Sequence, residues 1–245
     1  MTKRLVLFFT ILFIVGINCK ADDIPTISPT LKVISSPEDS ANTGEQTTSY
    51  TGSAPADILF EANPSNEDGW QSYYEWHFYL NSDTSSYLVR YEETTEYTFR
   101  ETGSHRIELW ATFTKDGEET VSYTHTYYSD EGGTAPSVSI YESSLSFPNA
   151  FSPNGDGIND TYGAKSGYKS IVDFQATIFN RWGQKIYSWS DPSGGWDGTY
   201  NGKDVKQGTY YVLVTARGAD GRKFNIKKDV NLLRGYTEST SSTTE

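Results

Sequence analysis

The chain has 245 residues, enough for two small domains, and its 15% aromatic content with dispersed glycine and proline favours an all-β fold. The net charge of −12 argues against nucleic-acid binding, because a phosphate backbone attracts a basic surface. The charge is uneven: residues 22–144 hold 5 Lys/Arg against 22 Asp/Glu, a net of −17, whereas residues 145–234 hold 12 against 8, a net of +4. This change predicts a domain boundary, with a linker or connecting strand over 131–144.

Residues 1–21 are predicted to be a signal peptide, because Lys3 and Arg4 precede an apolar run of 13 residues, too short to span a bilayer comfortably. Cys19, the only cysteine, follows that run, so the rest of the chain has no disulfide framework. Its position resembles the lipid-attachment cysteine of bacterial lipoproteins. The alternative is ordinary cleavage after Ala21, which removes Cys19. Either way we expect an exported protein, lipid-anchored at the outer membrane and cell surface or secreted.

Residues 22–49 are rich in proline, serine and threonine and are predicted to form an extended tether. Within this tether, Asp39-Ser40-Ala41 resembles a bacterial O-glycosylation acceptor, which would make Ser40 the modified residue.

Residues 50–130 alternate apolar and polar side chains, the period of a half-buried strand. In residues 73–80, Tyr74, Trp76, Phe78 and Leu80 share one face, and residues 105–113 alternate in the same way. Two tripeptides, Glu67–Gly69 and Lys115–Gly117, predict hairpin-type turns. The segments 53–62, 73–78 and 97–112 resemble a PKD-type or immunoglobulin-like sandwich in their order. That resemblance implies a spacer or an adhesion module.

Four aromatic residues of this domain could instead offer stacking faces to a glycan. They are Trp70, Tyr73, Tyr74 and Trp110. Core packing explains aromatic residues equally well, and both alternatives stay open at this point. The three histidines, His77, His105 and His125, have no metal-binding helical spacing and are predicted to be half-exposed strand residues.

Residues 147–162, FPNAFSPNGDGINDTY, combine oxygen-bearing side chains with glycines. The candidate calcium ligands are Asn154, Asp156, Asn159 and Asp160, at spacings similar to those of calcium loops. With only two carboxylates, binding would be weak, in the range of about 10⁻⁴–10⁻³ M. The alternative is an Asx-turn whose side chains bind their own backbone. No other cofactor is expected.

Residues 145–234 contain further strand-like segments at 174–178, 210–216 and 224–232, separated by turns at 181–184 and 201–204, which predicts a second antiparallel sandwich. Five motifs follow in order: PNAFSPNGDGINDTY, FNRWGQKIY, WDGTYNGK, QGTYYV and LLR. Together they resemble the gliding-motility-associated C-terminal domain, the type B sorting domain of type IX secretion. The resemblance implies that the secretion machinery recognises this domain and carries the chain across the outer membrane. Residues 235–245 are predicted to be a disordered tail.

The leading interpretation is a non-enzymatic surface protein made of two immunoglobulin-like β-sandwiches in tandem after a signal peptide. Its partners would be the type IX machinery, or the outer membrane through a lipid anchor. The first rival is a surface adhesin or glycan-binding module with a glycan or protein partner, in which the second sandwich is only structural. A hydrolase is the weakest interpretation, because no nucleophile–base pair or metal set is recognisable in the sequence.

Overall fold

The computed structural model describes residues 24–37 and 44–235, in which strands build two β-sandwiches in tandem. The all-β prediction is confirmed, and the only helix in these ranges, α1 (His125–Ser129), has five residues. No helix in the described ranges is long and apolar enough to cross a membrane. The predicted signal peptide with Cys19, the Ser40 acceptor and the tail after Gly235 lie outside the described residues.

The first sandwich packs a three-stranded sheet against a six-stranded one. The strands of the smaller sheet are β1 (Thr30–Ser35), β3 (Ala56–Glu61) and β6 (Thr94–Phe99). Those of the larger sheet are β2 (Ser49–Gly52), β4 (Gln71–Leu80), β5 (Leu88–Arg90), β7 (Gly103–Thr114), β8 (Val121–Tyr123) and β9 (Ser137–Ile140). The orders are β1-β3-β6 and β2-β9-β7-β4-β5, with β8 also paired to β7. Only β2 and β9 are parallel; every other pair in these two sheets is antiparallel.

The predicted alternation in β4 and β7 is confirmed on the face that meets the smaller sheet. Trp76 and Phe78 of β4 and Leu109 and Phe113 of β7 have no exposed surface. Phe60 of β3 lies 5.8 Å from Trp76 and 5.5 Å from Phe78, measured between ring centroids. Burial of several large rings in tilted and edge-on contact supplies most of the stabilisation of this core, at about 1.5–3 kcal/mol for each large apolar side chain.

The prediction of an extended tether over 22–49 is wrong for the described part of that segment. Residues 30–35 form strand β1, which pairs with β3, and Leu31 and Val33 are buried in the core. The sequence signal was weak because only a four-residue apolar patch lies between proline and serine clusters. The partner strand, more than 20 residues away, completes the ladder and decides the structure.

Residues 131–144 also differ from a simple linker, because residues 137–140 form β9, an internal strand between β2 and β7. Val138 of β9 is fully buried. The first sandwich therefore extends beyond the predicted limits of 50 and 130 at both ends. The turn at Lys115–Gly117 is a true hairpin between β7 and β8. The turn at Glu67–Gly69 instead leads from one sheet to the other, since β3 and β4 belong to different sheets.

The second sandwich is built on a five-stranded sheet in the order β10-β18-β17-β12-β13. Its strands are β10 (Ala150–Phe151), β12 (Ile171–Phe179), β13 (Lys185–Trp189), β17 (Gly208–Gly218) and β18 (Lys223–Leu232). Two short ladders accompany it, formed by β11 (Tyr162–Gly163) with β14 (Gly195–Trp196) and by β15 (Thr199–Tyr200) with β16 (Lys203–Asp204). The strands predicted at 174–178, 210–216 and 224–232 are confirmed. The opposite layer contains only these two short ladders among the described strands.

Hydrogen bonds and one buried side chain join the two sandwiches. The carboxylate of Asp220 accepts hydrogen bonds from the backbone N–H and the hydroxyl of Ser143, at 3.1 and 2.6 Å. The hydroxyl of Ser170 accepts the N–H of Ala54 at 3.2 Å, and Ala219 is buried in the first core. The change in charge between the domains therefore coincides with a packed junction.

Candidate functional site

The loop of residues 152–160 is closed by its own side chains. Both carboxylate oxygens of Asp160 accept backbone N–H groups, from Asn154 at 2.9 Å, Gly155 at 2.7 Å and Gly157 at 2.8 Å. These hydrogen bonds, that from Gly155 foremost, lower the pKa of Asp160 below its ordinary value. Gly155 and Gly157 have φ angles of 82° and 84°, which a side chain rarely allows.

The candidate calcium ligands therefore lie together, in the arrangement expected of the turn alternative. The side-chain oxygen of Asn154 accepts the N–H of Asp156 at 3.0 Å, and Asp156 accepts the N–H of Ile158 at 2.8 Å. Asn159 contributes a left-handed backbone, with φ of 53°, and its carbonyl accepts the N–H of Ser152. Within the described ranges, no group of three His, Cys, Asp or Glu side chains could hold a metal. Calcium binding stays a prediction.

Arg234, the last residue of the LLR motif, fastens three separate segments together. Its guanidinium donates hydrogen bonds to the carbonyls of Pro153 (3.2 Å), Gly198 (2.7 Å) and Val205 (3.0 Å). It also lies 3.3 Å from the carboxylate of Asp204. A side chain on Gly198, whose φ is 79°, would meet Pro153 and Arg234. The closing arginine thus ties the opening loop to the turns on the smaller layer.

The turn at residues 180–184 displays an exposed tryptophan on a braced backbone. The side-chain oxygen of Asn180 accepts the N–H groups of Trp182 and Gln184, both at 3.0 Å, and its amide donates to the side chain of Gln184. Asn180 is buried, whereas Trp182 is 75% exposed. The guanidinium of Arg181 lies 4.3 Å from the centroid of the Trp182 ring. Asn180 therefore fixes the turn and leaves the indole in solvent.

A groove of about 550 Å³ opens beside this turn. Three chain segments line it: 180–186, Tyr200 and 205–210. Apart from Val205 and Lys206, the lining residues belong to the motifs FNRWGQKIY, WDGTYNGK and QGTYYV, which lie apart in sequence. Sequence analysis treated residues 181–184 only as a turn and missed the groove. The available signal was Trp182 itself, a large apolar residue placed where a turn ordinarily carries polar residues.

Four aromatic residues of the first sandwich were predicted to bind a glycan, and the prediction is wrong for Tyr74. It is only 6% exposed and packs edge-on against Phe113, because it lies on the inward face of β4. Burial raises the pKa of its phenol to about 12. Trp70 is half-buried under the ammonium group of Lys115, at 5.6 Å.

The other two, Tyr73 and Trp110, share the outward face of β4 and β7. Tyr73 is 51% exposed and lies 6.3 Å from the ring of Tyr91, which is 61% exposed. Trp110 is half-buried, with the His77 ring stacked on it at 3.8 Å. Among the described residues of this face, Tyr73 and Tyr91 are the pair with well-exposed rings.

The outward face of β7 is covered more completely than its sequence predicts. Glu108 has no exposed surface, and its carboxylate lies 3.1 Å from Arg106, His125 and the indole N–H of Trp110. The short helix α1 provides His125. It also provides Tyr128, whose hydroxyl donates to the carbonyl of Leu109 at 2.7 Å. That hydroxyl also accepts the N–H of Leu109, so it satisfies the backbone of β7 between the residues that pair with β9 (103–106) and those that pair with β8 (111–113).

All three histidines differ from the predicted half-exposed strand positions. His77 and His105 are buried, and His125 is exposed on a helix. His105 contacts the hydroxyl of Tyr87 at 3.0 Å, and burial lowers its pKa. All three have structural partners in the first sandwich.

Comparison with known proteins finds a family match for the second sandwich. Residues 145–229 match the model of the CHU_C family, described as a type IX secretion signal domain. No curated protein matches the chain significantly.

Three solved structures resemble the chain only distantly. Dimeric latent PorU from Porphyromonas gingivalis is 13% identical, with 86% of this chain and 20% of that chain covered and a TM-score of 0.26. The mixed-linkage glucan utilization protein SGBP-B from Bacteroides ovatus, in complex with a mixed-linkage heptasaccharide, is 12% identical, with 83% and 47% covered and a TM-score of 0.22. Cadherin domains 3–6 of protocadherin gamma B2 are 11% identical, with 86% and 51% covered and a TM-score of 0.21. The chain spans about half the length of these structures or less.

The matched range begins just after the junction residue Ser143 and covers the opening loop, the Asn180 turn and most of β18. It therefore coincides with one structural domain, which has its own core. The second sandwich of this chain is a type IX secretion signal domain of the CHU_C family, and such a signal implies export to the cell surface or outer-membrane region.

Proposed function

We propose that this is a non-enzymatic cell-surface protein, delivered by type IX secretion, in which the first sandwich is a spacer or interaction module. The observation that carries the proposal is the match of residues 145–229, which covers most of a sandwich that has its own core. The first sandwich supports a structural role, because its buried carboxylate and its histidines are occupied by contacts within the fold.

The test is export of the full chain in a bacterium with type IX machinery, compared with a chain ending after Ser144. The shorter chain keeps every strand of the first sandwich but loses the contacts of Ser170 and Ala219 with it, so circular dichroism of the purified shorter chain is needed to show that it is folded. We expect the full chain at the cell surface, accessible to added protease, and the shorter chain in the periplasm. Periplasmic retention of a folded full chain would refute the export proposal.

Lipid anchoring is a separate part of the proposal and rests on Cys19 alone. Several acyl chains, at about 0.8 kcal/mol for each buried CH₂ group, would hold the chain firmly to a membrane. Cys19→Ala should then release the protein into the soluble fraction, and mass spectrometry of the mature amino terminus should detect the acyl groups in the unchanged protein. Unaltered membrane partitioning of the variant would leave cleavage after Ala21 as the interpretation.

A second candidate function, glycan binding by the first sandwich, is favoured by the exposed pair of Tyr73 and Tyr91. Two neighbouring rings in solvent can stack on sugar faces without rearranging the fold. A glycan array of the full chain, repeated with Tyr73→Ala and Tyr91→Ala, tests this function. Binding that both substitutions abolish would support it, and binding that neither affects would place the glycan elsewhere.

A further inference from the structure

The groove beside Trp182 is lined by cations and by no acidic residue. Its charged lining residues are Arg181 and Lys206, and the remainder are neutral, including Gln184, Tyr200 and Gln207. This composition gives the groove a positive potential within a chain whose overall charge is −12.

Three other cations of the same domain are held by oxygen atoms of the fold, which leaves them less available than Arg181 and Lys206. Arg217 pairs with Asp173 at 2.6 Å, Arg234 lies 3.3 Å from Asp204, and Lys228 donates to the carbonyl of Phe147. Among residues 44–235, neither Arg181 nor Lys206 has a carboxylate within ion-pair distance. Two unpaired cations on one groove are therefore available to an anionic partner.

The groove is also pre-organised for contact. Asn180 makes three hydrogen bonds that hold the turn, so the indole of Trp182 and the guanidinium stacked on it are presented on a fixed backbone. Tryptophan and arginine dominate protein–protein hot spots, because they combine large contact area with directional hydrogen bonding. A fixed backbone further lowers the entropy lost on binding. The fold gains little from an indole that is 75% exposed.

The sheet edge indicates the form of the partner. Strand β13 ends the five-stranded sheet and has β12 as its only strand partner in the described chain. Ile186 of β13 lines the groove. An extended peptide can pair with such an edge through its backbone while its side chains enter the adjacent groove.

We propose that the Trp182 groove is the surface by which the secretion machinery recognises this domain, and that its occupant is an extended, acidic peptide segment of that machinery. This inference rests on the proposed function and extends it to a partner chemistry. A carboxylate of the segment would accept the paired N–H donors of Arg181, a second would contact Lys206, and an apolar side chain would cover Trp182.

Export of full-chain variants tests the location. Trp182→Ala and the double variant Arg181→Gln with Lys206→Gln should each reduce surface delivery by about tenfold or more, with an unchanged melting temperature. The matched control is Tyr211→Ala with Lys227→Gln, an aromatic residue and a cation that are likewise exposed, on the outward face of β17 and β18. Delivery of the control should stay within about twofold of the unchanged chain.

The outcomes separate the two proposals. Retention of the unchanged, folded chain in the periplasm would overturn the proposed function and this inference with it. Export of the unchanged chain and of the groove variants alike would overturn only the inference. Equal loss of export in the groove variants and in the control would also overturn it, because recognition would not be localised to the groove.

Nuclear magnetic resonance of the purified protein tests the partner chemistry. The indole N–H signal of Trp182, assigned with Trp182→Phe, is followed during titration with poly-L-glutamate, poly-L-lysine and dextran sulfate. A saturable shift with poly-L-glutamate alone, absent in the Arg181→Gln, Lys206→Gln variant, supports an acidic peptide. A shift with dextran sulfate alone would indicate an acidic polysaccharide instead of an acidic peptide, and a shift with both anions would indicate a general anion site. A shift that depends on protein concentration alone would indicate a second copy of the chain. No shift with any of them would also overturn the acidic peptide.

Discussion

The two sandwiches are stabilised differently, the first by a core between two sheets and the second by one large sheet with polar contacts that fix its loops. The first has two sheets and a core of interlocking rings, and even its outward face is covered at Glu108 and His77. The second has one large sheet, and its loops are held by polar side chains: Asp160 in the opening loop, Asn180 in the turn between β12 and β13, and Arg234 on the smaller layer. Clamped loops can present side chains such as Trp182 that a continuous core would bury. The domain with fewer strands in its second layer is therefore the better suited to recognition.

The largest expected effect comes from truncating a central ring of the first core. Trp76→Ala removes a fully buried indole whose N–H donates to the carbonyl of Glu92, and it should cost about 3–5 kcal/mol of unfolding free energy. Guanidinium unfolding followed by near-ultraviolet circular dichroism measures the change. Trp182→Ala is the matched control and should stay within about 0.5 kcal/mol, since its ring is in solvent. Similar losses in both variants would contradict the distinction between a packed ring and a presented one.

A smaller loss is expected when the clamp of the second sandwich is removed. Arg234→Gln deletes three hydrogen bonds to carbonyls and should cost about 2–3 kcal/mol, because the charged donor is partly shielded from water. Arg217→Gln breaks only an exposed ion pair with Asp173 and should cost less than about 1 kcal/mol. Denaturant unfolding of both variants tests the ranking. The reverse order would mean that the sheet face, and not the clamp, holds this domain.

The opening loop gives the next prediction, on metal removal. Because its side chains bind its own backbone, chelation with EDTA should leave the melting temperature unchanged, whereas Asp160→Ala should lower it with or without chelator. Differential scanning calorimetry makes the comparison. A chelator-dependent decrease that Asp156→Ala abolishes would establish the calcium alternative instead.

The smallest effect concerns acid. Hydrogen bonds from Ser35 and then Thr98, both at 2.6 Å, lower the pKa of Asp57 below its ordinary value of 3.8. The carboxylate therefore contributes stability above pH 3.8 that is lost as the pH falls through the folded-state pKa. Solvent screening limits this to less than about 1 kcal/mol.

The test of the acid effect compares Asp57→Asn with Asp116→Asn, which lies in the exposed hairpin turn. Asp57→Asn should make the stability of the first sandwich depend less on pH as the pH falls below 3.8, and its effect should be larger than that of Asp116→Asn. Measurements of unfolding over this range would contradict the assignment if the two variants behaved alike.

Local sequence was sufficient where period and turn chemistry act over a few residues. The alternation in β4 and β7 identified the buried face. The turn predicted at 201–204 is confirmed at Asn201-Gly202, with φ angles of 52° and 72°, whereas Lys203–Asp204 form strand β16, which pairs with β15. The domain type was also readable, because its motifs occur in order along the chain. Each of these signals is contained in a short segment.

Tertiary structure alone decided the features that require contacts between residues distant in sequence. Strand β1 exists because β3 supplies its ladder, and Tyr74 is core because its strand face meets the smaller sheet. The groove unites residues from 180 to 210, and Arg234 reaches back to Pro153. The sequence by itself determined the strands with clear alternation, such as β4 and β7, and the family that the second domain resembles. Only the folded chain decided which aromatic residues and which cations remain available, because burial and pairing are properties of neighbours that the chain brings together.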